Sequence, residues 1–274
     1  MLGWSLVDAA GVEHPPAKGE ARIVSLVPSI TELLFDLGLG PQVVGRTRFC
    51  VHPRGQVDCI QRVGGTKGIS IDRVRSLAPT HVIVNVDENT QADFDAMANF
   101  VPHLIVTHPI EPWDNLQLYR LLGGIFGKRT EAEHLCTAFQ RAYDALADVA
   151  GSLPQQRVLY LIWKSPWMTV SKSTYISRML ALVNWETIGH DPVCRYPPVE
   201  FTERLFADAD IIFFSSEPYP FKRRHIEAFR TEFSPVRSKL ALIDGEMTAW
   251  YGSRAIQGLG YLRSFAPALL VQGR

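Results

Sequence analysis

The sequence predicts an α/β fold in which two Rossmann-like lobes, each with a mainly parallel sheet, are joined by one long rigid helix. Short β-branched runs alternate with amphipathic segments along the chain, which is typical of parallel strands connected by helices. One uninterrupted amphipathic segment divides the chain into halves that each contain strands and helices. We therefore expect an N-terminal lobe at 1–127 that begins with an extension at 1–20, a linker helix at 128–151 and a C-terminal lobe at 152–274.

The predicted strands are six short apolar runs. They read RIVSLV, HVIVNV and HLIVT in the first half and RVLYLIW, DIIFFS and LALID in the second. In α/β proteins, ligands bind beyond the carboxyl ends of such strands. The residues that directly follow these runs are therefore candidates for a binding site.

The first helix is predicted directly after the first strand. Ser29 with Glu32 has the spacing of a capping box, and Gly38 is a helix stop. A helix that begins at the carboxyl edge of a sheet presents free N–H groups there. We expect Pro28, Ser29 and Thr31 to line a ligand cleft.

The linker helix is predicted from Thr130, which forms a capping box with Glu133, to the glycine stop at Gly151. At 1.5 Å per residue it spans roughly 30 Å. A rigid helix between two lobes predicts a ligand cleft between them whose opening changes little on binding.

Composition and charge exclude several classes of protein. The 28 basic and 28 acidic residues balance and form no long run of one sign, so we expect no nucleic acid and no lipid surface as a partner. No apolar run approaches the ~20 residues of a membrane span. The expected partner is a small molecule, and the expected state is a monomer.

The N-terminus and the cysteines bear on the compartment. The first 24 residues lack a basic start, an apolar core and a small-residue cleavage site, so the chain as written is expected in the cytoplasm. The four cysteines form no CxxC pair, which argues against a zinc ribbon or a disulfide framework. A Cys50–Cys59 disulfide remains an alternative in an oxidising compartment.

No enzyme class is predicted. The sequence lacks GxSxG, GxxxxGK[ST], HExxH and GxGxxG, the signatures of common hydrolases, nucleotide-binding proteins and zinc proteases. We expect no catalytic cofactor. An enzyme that uses Cys50 and His52 stays open as an alternative, because catalytic partners need only meet in space.

Several motifs carry a family resemblance that covers about residues 20 to 270. The segments RIVSLVPSITELLFDLGL, VVGRTRFCVHP, VGGTKGISIDRVRSLAPTHVIVNVDEN and WYGSRAIQGLGYL resemble the helical-backbone substrate-binding proteins of ABC importers. Those proteins carry cobalamin, ferric siderophores or haem to a membrane permease, and the resemblance is strongest to the cobalamin-receptor-like branch called helical backbone metal receptors. It implies a protein that holds a corrinoid or another metal chelate, such as an iron chelate, for ABC-type import.

The resemblance places the segment RTRFCVHP at the ligand. It implies that Arg46, Phe49, Cys50 and His52 form the lip of the N-terminal lobe, and that Cys50 and His52 can reach a cobalt or iron centre as thiolate and imidazole ligands. The alternative for the same two residues is a small buried hydrophobe and a hydrogen-bonded loop histidine.

Two further groups of the first lobe are expected at the ligand. Thr66 stands where the cobalamin receptors place a large aromatic, a departure that argues against a strict cobalamin assignment. Asp87, Glu88 and Asn89 follow a predicted strand and are expected at its carboxyl end. A turn or a helix cap is the alternative for this acidic group.

Aromatic residues are the main candidates in the second lobe, because flat rings stack well on a planar macrocycle. The candidates are Trp163, Trp167, Trp250, Tyr251 and Arg254. The resemblance adds Tyr196, where the family has an aromatic that faces the ligand, and Glu246, which matches a family acid that contacts the ligand. The alternatives are a core position for Trp163 and, for Arg254, a salt bridge within the protein instead of a carboxylate or phosphate of the ligand.

Docking to a permease is expected through acidic side chains, one on each lobe of the resembling receptors. Asp72 matches the first of these positions, and the second falls on Thr202, which Glu200 and Glu203 flank. The shifted position leaves another alternative open, a cytoplasmic carrier of a corrinoid, ferric siderophore or haem that works without a permease.

Overall fold

The computed structural model describes residues 4–271, and the chain divides into two compact units. The first unit contains the chain up to Pro109, Trp113–Phe139 and Tyr251–Arg254, and the second contains Ile110–Pro112, Gln140–Trp250 and the chain from Ala255 onward. Four residues near the C-terminus, Tyr251–Arg254, therefore belong to the first unit.

The first unit is built around a parallel five-stranded sheet in the order β3-β2-β1-β4-β5. Its elements are β1 (Ile23–Ser25), α1 (Pro28–Asp36), β2 (Val43–Arg46), β3 (Gln61–Arg62), α2 (Ile71–Ser76), β4 (His81–Asn85), α3 (Gln91–Ala98), β5 (His103–Thr107), α4 (Asp114–Ile125) and the start of α5 (Arg129–Ala150). All residues of β1 and β4 are buried, as expected for central strands covered on both faces.

The second unit has a parallel four-stranded sheet in the order β7-β6-β8-β9. Its elements after α5 are β6 (Gln156–Leu161), α6 (Tyr175–Ala181), β7 (Trp185–Thr187), α7 (Glu203–Asp208), β8 (Ile211–Ser215), α8 (Arg223–Glu232), β9 (Lys239–Ile243), α9 (Gly245–Ala249) and α10 (Arg254–Val271). Within residues 4–271, no helix has the length and the apolar composition needed to cross a membrane.

The predicted α/β class with two parallel sheets is confirmed, and all six predicted strands are present. Three strands were not predicted, namely β2, β3 and β7. They have only two to four residues and read VVGR, QR and WET, so no apolar alternation develops along them. These short segments are strands because they hydrogen-bond to the neighbouring strands of their sheets.

The predicted capping box at the start of α1 is wrong. The helix begins at Pro28, its N-cap is Val27, and no side chain caps it. Proline suits the first helical position because it has no N–H and its φ is already helical. Ser29 is therefore the second residue of the helix, while Gly38 follows the C-cap residue with φ +72°, as the predicted glycine stop requires.

The predicted long helix is confirmed as α5, which has 22 residues and is followed by Gly151. Its predicted capping box is wrong, because the helix begins at Arg129 and Thr130 already lies within it. Glu133 instead accepts hydrogen bonds of 2.7 and 3.1 Å from the guanidinium group of Arg120 on α4.

The N-terminal extension lies beside β5. Asp8 accepts hydrogen bonds of 2.9 Å from the backbone N–H groups of Ala10, Val12 and Val106, and it contacts Nε2 of His14 at 3.0 Å. The N–H group of Ala9 donates to the carbonyl of Val106 at 2.9 Å. Asp8 and Ala9 thus hydrogen-bond to the N–H group and the carbonyl of Val106, which lies on an edge strand of the sheet.

Three histidines gather near the amino ends of β4 and β5. The rings of His81 and His103 stack at 4.7 Å, and His14 meets His103 edge to face at 6.4 Å. Burial, with smaller contributions from His103 and His14, lowers the pKa of His81 to about 4. His81 is therefore neutral in the folded protein near neutral pH.

Candidate functional site

The carboxyl edge of the first sheet contains most of the candidates from the N-terminal half. Strands β1, β2, β4 and β5 end at Ser25, Arg46, Asn85 and Thr107. Because parallel strands all end at the same edge, the loops that follow them share one surface. The segment Tyr251–Arg254 belongs to the same unit.

Arg46 is an internal brace of the loop after β2. Its side chain is only 1% exposed, and its guanidinium donates to the carbonyls of Val57, Cys50 and Thr47 at 2.7, 3.0 and 3.2 Å. The ring of Phe49, in contrast, is 47% exposed. Arg46 therefore holds the loop in shape, while Phe49 is one of the residues that this loop exposes to solvent, together with Arg48 and Val51.

Cys50 is fully buried, and its thiol contacts the hydroxyl of Thr47 at 3.1 Å. Burial raises the pKa of this thiol, so it favours the protonated form and not the thiolate that binds metals. His52 is half-buried two residues further on. Within the described part of the chain, no group of three or more His, Cys, Asp or Glu side chains is arranged to hold a metal ion.

All four cysteines are free, so the Cys50–Cys59 disulfide that the sequence left open is absent. Cys59 is exposed, and its sulfur contacts the carbonyl of Gln56 at 3.6 Å. The two thiols thus have different surroundings.

Glu88 and Tyr251 form a hydrogen-bonded pair at this edge. The phenol donates to Oε1 of Glu88 at 2.8 Å, and Tyr251 is 7% exposed whereas Glu88 is partly accessible. Burial raises the pKa of Glu88 to about 7, although the bond from Tyr251 acts in the opposite direction. Glu88 therefore changes charge near neutral pH.

Asn89 joins three loops of this edge. Its amide donates to the carbonyls of Leu26 and Thr66 at 3.3 and 2.9 Å, and its Oδ1 accepts from the N–H of Asn85 at 2.9 Å. The N-cap of α3 is Thr90, so Asn89 supports the turn without capping the helix. Asp87 lies 3.8 Å from His108, which follows β5.

Thr66 is partly exposed and lies in a turn in which the backbone approaches its neighbours closely. Gly64 has φ +131°, and a Cβ atom at Gly65 would lie 3.0 Å from the carbonyl of Lys67 and 3.4 Å from the ring of Phe49. Gly65 thus lets the turn pack beside Phe49, and Gly64 permits the positive φ of the turn.

The segment Tyr251–Arg254 is fastened to the first unit by buried polar contacts. Gly252 donates its N–H to Oδ1 of Asn115 at 2.6 Å and accepts from the phenol of Tyr119 at 2.9 Å. Arg254 donates to both carboxylate oxygens of Glu32, which burial gives a raised pKa. Arg254 has the internal salt bridge that was the alternative to a ligand contact, and Pro28 and Ser29 are buried nearby in the chain on α1.

The carboxyl edge of the second sheet presents Trp163. Its indole is 39% exposed and meets the ring of Tyr219 edge to face at 5.6 Å. Trp250 is 8% exposed and donates its indole N–H to Glu217, which follows β8. Glu246 lies half-buried in the first turn of α9, and Tyr196 is half-buried in the loop before α7.

Trp167 is partly buried and packs against the core of the second unit. Its ring stacks on Phe221 at 5.8 Å with an interplanar angle of 3°, and its other ring contacts are edge to face. Those contacts are with Phe201, Phe214 and Phe229. The structure thus separates Trp167 from the exposed ring of Trp163, although the two share one short motif.

Sequence analysis missed two residues beside the aromatic candidates, Glu217 and Tyr219. The available signal was their position directly after the apolar run DIIFFS, the same signal that selected Glu88 and Asn89. The candidate docking acids are all exposed: Asp72 is in the first turn of α2, Glu203 begins α7, and Glu200 precedes it.

Comparison with known proteins gives one family match and distant relatives. The family described as periplasmic binding protein matches residues 23–234. The vitamin B12-binding protein of Pectobacterium atrosepticum is 25% identical over 183 residues, which is 65% of this chain and 65% of that protein. The chain thus matches somewhat less than two thirds of the length of this relative; the corresponding protein of Pectobacterium carotovorum is 24% identical over 72% of each chain.

Solved structures share the fold. The periplasmic vitamin B12-binding protein BtuF of Vibrio cholerae has a TM-score of 0.78 at 17% identity, covering 93% of this chain and 99% of that one. The periplasmic haem-binding protein RhuT from Roseiflexus has the same TM-score at 22% identity, covering 92% of this chain and 100% of that one.

Proposed function

Because the chain belongs to the periplasmic binding protein family, we propose that it is a substrate-binding protein for a corrinoid or another large metal chelate, such as haem, that is imported by an ABC transporter. The observation that carries this proposal is a pair of exposed rings. Phe49 is 47% exposed and Trp163 is 39% exposed, each at the carboxyl edge of its own sheet. The guanidinium of Arg48 lies over the Phe49 ring, 4.8 Å from its centroid, so a flat macrocycle would contact the part of this ring that Arg48 leaves exposed. The indole of Trp163 offers its exposed part in the same way.

The relatives support the same class of ligand. Two of them are vitamin B12-binding proteins, and the similar structures include vitamin B12-binding and haem-binding proteins. All of these ligands are metal-containing macrocycles. Thr66 has no aromatic ring and offers no stacking contact, so Phe49 is the stacking candidate near this turn.

The protein supplies binding contacts and no chemistry in this proposal. Phe49 in the first unit and Trp163 in the second are separate candidates for a stacking contact with the ligand, while Glu88 and Asn89 provide polar contacts at the first sheet. His52 is the candidate for direct contact with the metal of the ligand, since the thiol of Cys50 is buried and protonated. The exposed acids Asp72, Glu200 and Glu203 are the proposed contacts to arginines of a permease.

A titration with cyanocobalamin and with haemin tests the proposal. Absorption spectra and thermal unfolding are recorded for the unchanged protein and for Phe49→Ala and Trp163→Ala. We expect saturable binding of one of the two ligands and a loss of roughly tenfold or more in affinity for each variant.

The control is Phe100→Ala, because this ring lies 4.1 Å from the guanidinium of Arg75 just before β5, at the opposite end of the strands. The ring is partly buried against the core, so affinity is compared well below the unfolding temperature of each variant. Phe100→Ala should bind like the unchanged protein. Absence of saturable binding of either ligand would sink the proposal, and equal losses in all three variants would remove the assigned role of Phe49 and Trp163.

A further inference from the structure

Glu88 is an acidic side chain without a cationic partner at the proposed ligand-binding edge. It follows β4 directly, is partly accessible and has Tyr251 as its hydrogen-bond donor at 2.8 Å. In the described part of the chain, no nitrogen of Lys, Arg or His lies within 4 Å of its carboxylate. A negative charge there is stabilised by the phenol of Tyr251 and by the water that reaches the carboxylate.

Among the titratable groups that surround Glu88, Asp87 adds negative potential and Cys50 adds none. Asp87 is adjacent on the same loop and raises the pKa of Glu88. Cys50, on the loop after β2, interacts with Glu88 and is a neutral thiol. His108 follows β5 and lies 3.8 Å from Asp87, and Tyr251 is a buried phenol whose pKa burial raises well above its ordinary value.

A large apolar ligand that covers the carboxyl edge of the first sheet changes the relative stability of the charged and neutral forms of Glu88. It displaces the water that still reaches Glu88, and loss of water disfavours the charged form of a carboxyl group. The cost of burying an unpaired carboxylate greatly exceeds the cost of binding a proton near neutral pH. The bound state therefore favours the neutral acid.

We propose that the ligand binds the form of the protein in which Glu88 is protonated, so that binding takes up a proton from the solvent wherever Glu88 of the free protein is ionised. This inference rests on the proposed function. In the protonated form Oε1 accepts the bond from Tyr251 and Oε2 carries the proton. That proton can be donated to an acceptor on the ligand, such as an amide or carboxylate oxygen, which makes Glu88 a contact that selects ligands with an acceptor at this position.

Calorimetry at pH 7 and 8 in phosphate and in Tris tests the inference, with cyanocobalamin and haemin as the probes. The two buffers differ strongly in ionisation enthalpy, so the difference between the measured binding heats counts the protons exchanged. With a pKa of about 7 for free Glu88, we expect uptake of about half a proton at pH 7 and nearly one at pH 8. Affinity should fall up to about tenfold from pH 6 to pH 8.

Two variants make the assignment specific to Glu88. Glu88→Gln should abolish proton uptake and bind equally well at pH 6 and pH 8. Tyr251→Phe removes the bond that lowers the pKa of Glu88, so the loss of affinity should move to higher pH. Glu227→Gln, at an exposed carboxylate on α8, is the matched control and should change neither the uptake nor the pH dependence.

The outcomes separate the inference from the proposed function. Saturable binding with no proton uptake, or with proton release, would overturn the inference and leave the proposed function standing. Uptake that persists in Glu88→Gln would also overturn it. Failure of both probes to bind would overturn the proposed function and the inference together.

Discussion

Arg254 donates hydrogen bonds of 2.8 and 2.7 Å to the two carboxylate oxygens of Glu32, which lies 222 residues earlier in the chain. Both side chains are largely buried, with 8% and 11% of their surfaces exposed. Arg254→Met should therefore lower the free energy of unfolding by about 3–5 kcal/mol, because it leaves a buried carboxylate without its partner. Urea denaturation measures this loss.

The control for this prediction is Arg120→Met. Arg120 pairs with Glu133 at a similar distance of 2.7 Å, but the two side chains are 39% and 45% exposed. An exposed pair contributes less than about 1 kcal/mol. Equal losses in the two variants would show that burial does not set the strength of the Arg254–Glu32 contact.

Trp163 and Trp167 should respond in opposite ways to truncation. Trp167→Ala should cost about 3–5 kcal/mol of unfolding free energy, because it removes a ring packed among four phenylalanines. Trp163→Ala should cost much less stability and should weaken ligand binding by roughly 1–4 kcal/mol. Affinity and unfolding are measured on both variants, and a Trp163→Ala protein with unchanged affinity would contradict the role given to Trp163.

The four cysteines should divide into two classes of reactivity. Cys59 and Cys194 are exposed, while Cys50 and Cys136 are buried, and burial raises the pKa of Cys50 and brings that of Cys136 to about 11. Alkylation depends on an accessible thiolate. Mass spectrometry after treatment of the folded protein with a maleimide should show two modified residues, and all four should react in denaturant. Rapid modification of Cys50 in the folded state would contradict its buried position.

Acid should destabilise the protein partly through His81. The pKa of His81 is lowered from 6.5 to about 4, so the unfolded chain binds a proton at higher pH than the folded protein does. The contribution of His81 to stability is therefore fully present above pH 6.5 and is lost as the pH falls from 6.5 towards 4, on the order of 2–3 kcal/mol. His81→Phe should flatten the decrease in unfolding free energy between pH 6.5 and 4, and an unchanged pH profile would argue against this contribution.

The apolar pattern of the sequence was sufficient to predict the α/β class, six of the described strands and the long helix α5. It failed where local signals compete. Pro28 moves the start of α1 ahead of Ser29, and the edge strand β3 has only two residues. The start of α1 depends on a single proline, and β3 exists only because it pairs with a neighbouring strand.

The candidate site was harder to predict from the sequence, because its geometry depends on residues far apart in the chain. Nothing near Arg254 indicates that Glu32 is its partner, and nothing near Tyr251 points to Glu88. Trp163 and Trp167 look alike in the sequence, and only the distant phenylalanines that surround Trp167 distinguish them. The chemistry of the side chains and their position after predicted strands identified the candidates. The burial seen in the structure then distinguished the roles of these residues.

The contact of Asp8 and Ala9 with Val106 bears on the behaviour of the protein at high concentration. An open edge strand is a template on which a strand of another molecule can add, and β5 has the apolar composition that favours such addition. Residues 8 and 9 occupy its hydrogen-bonding groups at Val106, and the opposite edge, β3, is only two residues long. A chain shortened to begin at Arg22 would uncover β5, so light scattering should show concentration-dependent aggregation that the unshortened chain resists.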